Sequence, residues 1–182
     1  MRSQSPHVMK TSCWRHAETI IRHGRYAPIG ISRSVPEWAP GGIPVFRQLA
    51  PSAPLFRYAK TTDDDATLRY ETYAERFERE LDELSVHQTW DALHAAAAGR
   101  EPVLLCWCSP DFDPPRRFCH RRIVAEWFLG ARGEEVDEID PALLRADGCP
   151  PRWPAEAQRD LFRADRPGCS PLDQPLDQQL AE

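Results

Sequence analysis

The chain has 182 residues, enough for one domain with a proper core and short for two. Its composition, 41% hydrophobic and 28% charged, is that of an ordinary soluble protein. The net charge of −5 excludes a global field drawing the chain to nucleic acid or to a membrane surface, so any such contact needs a local basic patch.

Arginine supplies nearly all the positive charge, with Lys10 and Lys60 the only lysines, so a count of arginines carries little functional weight. No apolar run approaches the ~20 residues needed to cross a bilayer. The N-terminal stretch MRSQSPHVMK lacks the apolar region of a signal peptide. A cytoplasmic protein without a membrane partner is expected. Its six cysteines are then expected as thiols or metal ligands rather than disulfides.

In chain order, residues 1–9 read as a flexible lead and residues 12–23 as a short helix closed by Gly24. Ile29 and Ile31 with small neighbours predict a short buried strand ending at Ser32. The segment 33–56 is dense in Pro and Gly, which predicts a long covering loop. Across 63–84, Tyr70, Tyr73, Phe77, Leu81 and Leu84 repeat at helical steps. The aspartates 63–65 sit at the start, where they suit the helix dipole.

A second helix is expected over 86–98, with Gly99 at its end. The run 102–107, PVLLCW, predicts a central strand buried on both faces. A loop then leads to a helix over 120–130, and a last short strand is expected over 135–139. Beyond Asp140 the composition turns to Pro, Asp, Arg and Gln. Residues 141–182 are expected as a largely irregular tail, with a short helix possible over 154–164. The order implies a single α/β domain over 10–140, with a small, mostly parallel sheet, flanking helices and Rossmann-like three-layer packing.

In such sheets ligands gather outside the carboxyl ends of the strands. Those ends deliver Ser32 and Arg33 from one strand, and Cys106, Trp107 and Cys108 from another. The stretch PPRRFCHRRIVAEWF falls on the same rim. Cys119 lies near the N-cap of the following helix and His120 near its first turn, with Phe118 placed to staple onto Ile123. A helix start favours anions, and Arg116, Arg117, Arg121 and Arg122 add guanidinium forks suited to phosphate. The plain alternative is a solvated arginine face, with Arg122 paired to Glu126.

Cys119, beside arginines at a helix start, is a candidate nucleophile with His120 as acid/base. Cys106, Cys108, Cys119 and His120 form a possible tetrahedral zinc set, although their spacing departs from paired Cys-x-x-Cys sites. Cys13, Cys149 and Cys169 read as incidental. Asp111 and Asp113 read as turn residues that could also orient arginines. Trp38 and Trp107 could stack on a flat ligand, with core packing favoured for each.

Several motifs occur together: Lys10-Thr11-Ser12; Ile31-Ser32-Arg33 with Pro36 and Trp38; Leu49-Ala50-Pro51-Ser52; Leu104-Leu105-Cys106; and Phe118-Cys119-His120-Arg121 with Ala125-Glu126-Trp127. This combination resembles the bacterial and phage family called domain of unknown function 488, over residues 10–140. The resemblance implies an α/β fold and a site at these motifs, and it supplies no substrate. It also implies an acidic residue two positions after the strand cysteine, where this chain carries Cys108.

Two functions follow as expectations. One is a cleft that binds, and could also process, a phosphorylated ligand such as a nucleotide or nucleic-acid end. It would be lined by Ser32, Arg33, Cys106, Cys108, Cys119, His120 and Arg121, with Arg33 and Arg121 clamping the anion. The other is a non-catalytic interaction module whose Cys-His-Arg segment is structural, with or without zinc. Neither specifies a cofactor or an oligomeric state.

Overall fold

The computed structural model describes residues 8–108, 114–115, 118–140 and 142. Strand β1 (Met9–Cys13) leads through a 3-10 turn (Trp14–His16) into helix α1 (Ala17–His23). Strand β2 (Tyr26–Gly30) follows, then a long segment with a 3-10 turn (Arg47–Leu49). Helices α2 (Ala53–Thr61), α3 (Ala66–Asp82) and α4 (Val86–Ala96) precede strand β3 (Glu101–Cys106). Helix α5 (His120–Arg132) and strand β4 (Val136–Glu138) complete the described order.

The sheet has four strands in the order β2-β3-β1-β4. All three pairings are parallel, with Cys13 opposite Cys106 and Thr11 opposite Glu138. Every strand therefore runs its carboxyl end to one edge, where Ile31, Cys13, Cys106 and Glu138 meet. Alternation along β3 divides the core. Leu104 packs with Ile29, Phe77, Leu81, Val124 and Phe128 on one face. Val103 and Leu105 pack with Trp14, Ala17 and Ile20 on the other. These two apolar faces make the small three-layer α/β domain expected from the sequence.

Each helix follows from its residues. In α3 the buried side chains are Tyr73, Phe77 and Leu81, at steps of four, and Asp65 caps the start by accepting from Thr67 N and Leu68 N. Ser85 caps α4 through Gln88 N. Helix α5 buries Arg121, Val124, Ala125 and Phe128 on one stripe and ends at Gly133, whose φ of 72° suits glycine.

Three expectations need correction. The helix expected over 12–23 begins only at Ala17, and the lead over 1–9 ends inside a strand, because Met9–Cys13 pairs with both β3 and β4. The loop expected over 33–56 gives way to α2 at Ala53. There Ser52 caps Leu55 N and a proline occupies the first turn, so the breakers of that stretch start a helix. Consequently the sheet has a fourth strand and the helical layer a further helix. The tail over 141–182, its helix at 154–164, and Cys149 and Cys169 fall outside the described residues, apart from Ala142.

Gly30 at the end of β2 has a packing role. A Cβ there would stand 2.6 Å from Cζ2 of Trp14, whose indole is buried and tied to Ser32 Oγ at 2.9 Å. The indole cannot retreat without losing that bond. Gly30→Ala should therefore destabilise the domain by about 1–3 kcal/mol, the usual cost of overpacking. Urea unfolding of the two proteins measures this as a lower midpoint at unchanged slope.

Candidate thiolate site

Cys106 closes β3, Cys108 follows in the loop, and Cys119 is the N-cap of α5. Their sulfurs lie within 4.8 Å of one another, with Cys106 Sγ and Cys119 Sγ 3.0 Å apart. Cys106 and Cys119 are buried, whereas Cys108 is partly exposed. Cys13, opposite Cys106 on β1, is also buried, and all four are free thiols.

Arg121 organises this cluster. It is fully buried. Its Nη1 donates to Cys106 Sγ at 2.8 Å and to the Cys108 carbonyl at 2.9 Å, with Cys119 Sγ at 3.6 Å. Its Nε and Nη2 donate to the two carboxylate oxygens of Glu138 at 3.1 and 3.0 Å. Thr11 Oγ1 donates to the same carboxylate at 2.7 Å. Burial opposes the guanidinium's charge, but Cys106, Cys119 and Glu138 together overcome it, so Arg121 remains a cation. This geometry removes Arg121 from the expected anion clamp, since its fork is already spent on a carboxylate and a sulfur.

The thiols divide the charge between them. Hydrogen bonds from Cys106 and Cys119, with the field of Arg121, hold the Cys108 thiol well below its ordinary value. Burial raises Cys106, and burial raises Cys119 strongly. The three thiols titrate as one coupled set, in which Cys108 is the member held low and also the one with solvent access. Cys106 also accepts from the backbone N–H of Cys108 at 3.3 Å, which curls the loop around the sulfurs.

His120 flanks the triad. Its Nε2 pairs with the Ile31 carbonyl at 2.8 Å. A carbonyl can only accept, so Nε2 carries a proton, and in the neutral ring Nδ1 is the acceptor. That Nδ1 lies 4.0 Å from Cys119 Sγ. Phe118 packs against Tyr70 and Tyr73 of α3, with ring centroids at 5.3 and 4.9 Å. A cavity of about 130 Å³ opens beside Cys119, bounded by Tyr70, Phe118, Arg122, Ile123 and Glu126.

The other expected residues scatter. Ser32 is buried, accepting from Trp14 Nε1 at 2.9 Å and donating to the Ser34 carbonyl at 2.7 Å, so it braces the loop. Arg33 is exposed and donates to the Pro51 carbonyl at 3.1 Å. Arg122 donates to the Val136 carbonyl at 3.2 Å. Arg116, Arg117, Asp111 and Asp113 fall outside the described residues. Glu138 and Thr11 were absent from the residues expected at the site. Their signal lay in the polar letters of the KTS stretch and of the strand EEVDEI, which a strand buried by its neighbours must satisfy internally.

Residues 7–132 match the family model described as the Active DUF488-N3 subclade. The chain belongs to the DUF488 family. No curated protein and no solved structure matches it. The match spans every element from β1 to α5, and so includes the three cysteines and Arg121 of this DUF488 domain.

Glu138 holds a guanidinium that water cannot reach. Glu138→Ala should cost about 3 kcal/mol, the lower end for breaking a buried pair and stranding its partner. The measurement is again the denaturation midpoint, and an unchanged midpoint would show Arg121 satisfied by the sulfurs alone.

Proposed function

We propose that this DUF488 domain is a thiol-dependent enzyme whose nucleophile is the Cys108 thiolate, acting on an anionic ligand at the carboxyl edge of the sheet. One observation carries the reading: three sulfurs share a site with a buried arginine that donates to Cys106. A buried cation beside thiols favours the thiolate, and the thiolate is the attacking species. Cys108 is the member a ligand can reach. In the attack, Cys108 Sγ bonds the ligand's electrophilic atom, and the leaving group departs with its electron pair. His120 Nδ1, 4.0 Å from Cys119 Sγ, is the base beside the triad. The subclade's description as active accords with this chemistry. The ligand's negative charge would meet the start of α5 and Arg33, since Arg121 serves the sulfurs.

A metal-bound triad is the second reading, favoured by the same convergence of sulfurs. Its ligands would be Cys106, Cys108 and Cys119, with His120 Nδ1 the nearest imidazole lone pair. The arginine at 2.8 Å from one sulfur weighs against a dication there.

Alkylation by iodoacetamide, followed residue by residue by peptide mass spectrometry, separates the two. An ordinary thiol near pKa ~8.5 is almost wholly protonated at about pH 6. Cys108, held low by its neighbours, should still alkylate there, and its rate should fall only as the pH drops through its own lower value. Arg121→Met should move the profile to higher pH. A Cys108 that behaves like an ordinary thiol would sink the nucleophile reading. Stoichiometric zinc in the purified protein, with all three cysteines shielded until chelation, would establish the metal reading instead.

A further inference from the structure

Two indoles stand at the same sheet edge with much of their surface in water: Trp38 is 36% exposed and Trp107 is 38%. Neither is the core residue that the sequence favoured. Their centroids lie 6.4 Å apart with the ring planes at 80°. The two rings therefore form a corner, in which a flat group stacked on one meets the other edge-on.

The corner is held in place. Trp107 Nε1 donates to the Ser34 carbonyl at 2.9 Å. The same carbonyl accepts from Ser32 Oγ at 2.7 Å, and Ser32 Oγ accepts from the buried Trp14 indole at 2.9 Å. An exposed ring anchored through two serines to the core is already ordered before any ligand arrives, which lowers the entropic cost of binding.

Its position in the chain ties it to chemistry and charge. Trp107 lies between Cys106 and Cys108. Arg33 immediately precedes Ser34, is exposed, and receives Arg47 Nε on its carbonyl at 3.3 Å. Arg33 and Arg47 are thus joined on the segment that carries Trp38, with the Arg33 guanidinium donating to the Pro51 carbonyl at 3.1 Å. Aromatic faces take a planar heterocycle, and guanidinium forks take phosphate. We propose that Trp38 and Trp107 bind the base of a nucleoside monophosphate, with its phosphate toward Arg33 and Arg47. This proposal takes its reaction from the Cys108 reading, while its binding stands independently.

The full chain is titrated with guanosine 5′-monophosphate, guanosine and inorganic phosphate, following tryptophan emission and the alkylation rate of Cys108. The nucleotide should change the emission saturably and slow alkylation, guanosine should bind more weakly, and phosphate weaker still. Trp107→Leu should weaken nucleotide binding by about tenfold, the scale of one lost stacking contact. Trp107→Phe should restore most of it, and Arg33→Ala should remove the nucleotide's advantage over guanosine. Circular dichroism of each variant checks that it folds.

If neither guanosine nor its monophosphate perturbs the emission, or if Trp107→Leu and Trp38→Leu both bind like the native chain, the base site is overturned, however fast Cys108 alkylates. Equal binding of guanosine and its monophosphate overturns the phosphate contact. Trp107-dependent nucleotide binding with an ordinary, slow Cys108 overturns the thiolate reading and upholds the base site.

Discussion

One buried cation organises the carboxyl edge of this sheet. Arg121 leaves the first turn of α5, grips both oxygens of Glu138 at the end of β4, and reaches the sulfur that ends β3 and the carbonyl of Cys108 beyond it. A guanidinium without solvent must have its donors and its charge satisfied, since an uncompensated buried charge costs several kcal/mol. That demand dictates the neighbours. Glu138 must lie at the end of its strand, Thr11 must steady the carboxylate, and the loop after β3 must curl back. The sulfurs supply acceptors that a purely apolar interior lacks. The cluster of thiols is thereby both partner and beneficiary: it completes the arginine's coordination, and the arginine makes a thiolate tolerable there.

What the sequence made legible follows from which signals survive in single letters. The α3 stripe of Tyr73, Phe77 and Leu81, and the apolar run of β3, are periodic and were readable as a helix and a strand. β1 was not, because Lys10, Thr11 and Ser12 give no apolar run. Lys10 and Thr11 find partners distant in sequence, Asp137 and Glu138, and Ser12 bonds the ring of His16, four residues on, at 2.8 Å. The α2 start was hidden by prolines that mark helix starts as readily as loops.

The structure brings together Cys106, Cys108 and Cys119, and it buries Arg121. Arginines at a helix start suggested an open anion clamp, yet Arg121 stands at i−3, i−4 and i−7 from the buried Val124, Ala125 and Phe128. Helical phase alone puts it on the inner face. Cys119, by contrast, was placed near the N-cap, which it is, and its meeting with Cys106 and Cys108 needed the fold that brings the end of β3 and the start of α5 to one edge. Spacing in sequence could not reveal that, since the C-x-C and distant Cys fit no familiar ligand pattern.

The long segment after β2 shows how a Pro- and Gly-rich stretch can still carry a rigid surface. Gly30 N donates to the Pro44 carbonyl at 2.9 Å, and Phe46 N donates to the Gly30 carbonyl at 2.8 Å, so the far limb of the loop is stitched to the strand end. Its near limb is stitched through Trp14, Ser32, Ser34 and Trp107. Trp14 thus serves both limbs, closing over Gly30 and bonding Ser32. The absence of a side chain at Gly30 lets that indole sit against the backbone, and the indole in turn fixes the serine that fixes the rim. Ordering of the aromatic rim therefore originates in the core on the α1 side of the sheet, opposite the face packed by α3 and α5. The thiol cluster and its neighbouring indoles are held from separate layers, Arg121 from one and Trp14 from the other, and they meet only because all the strands end at one edge.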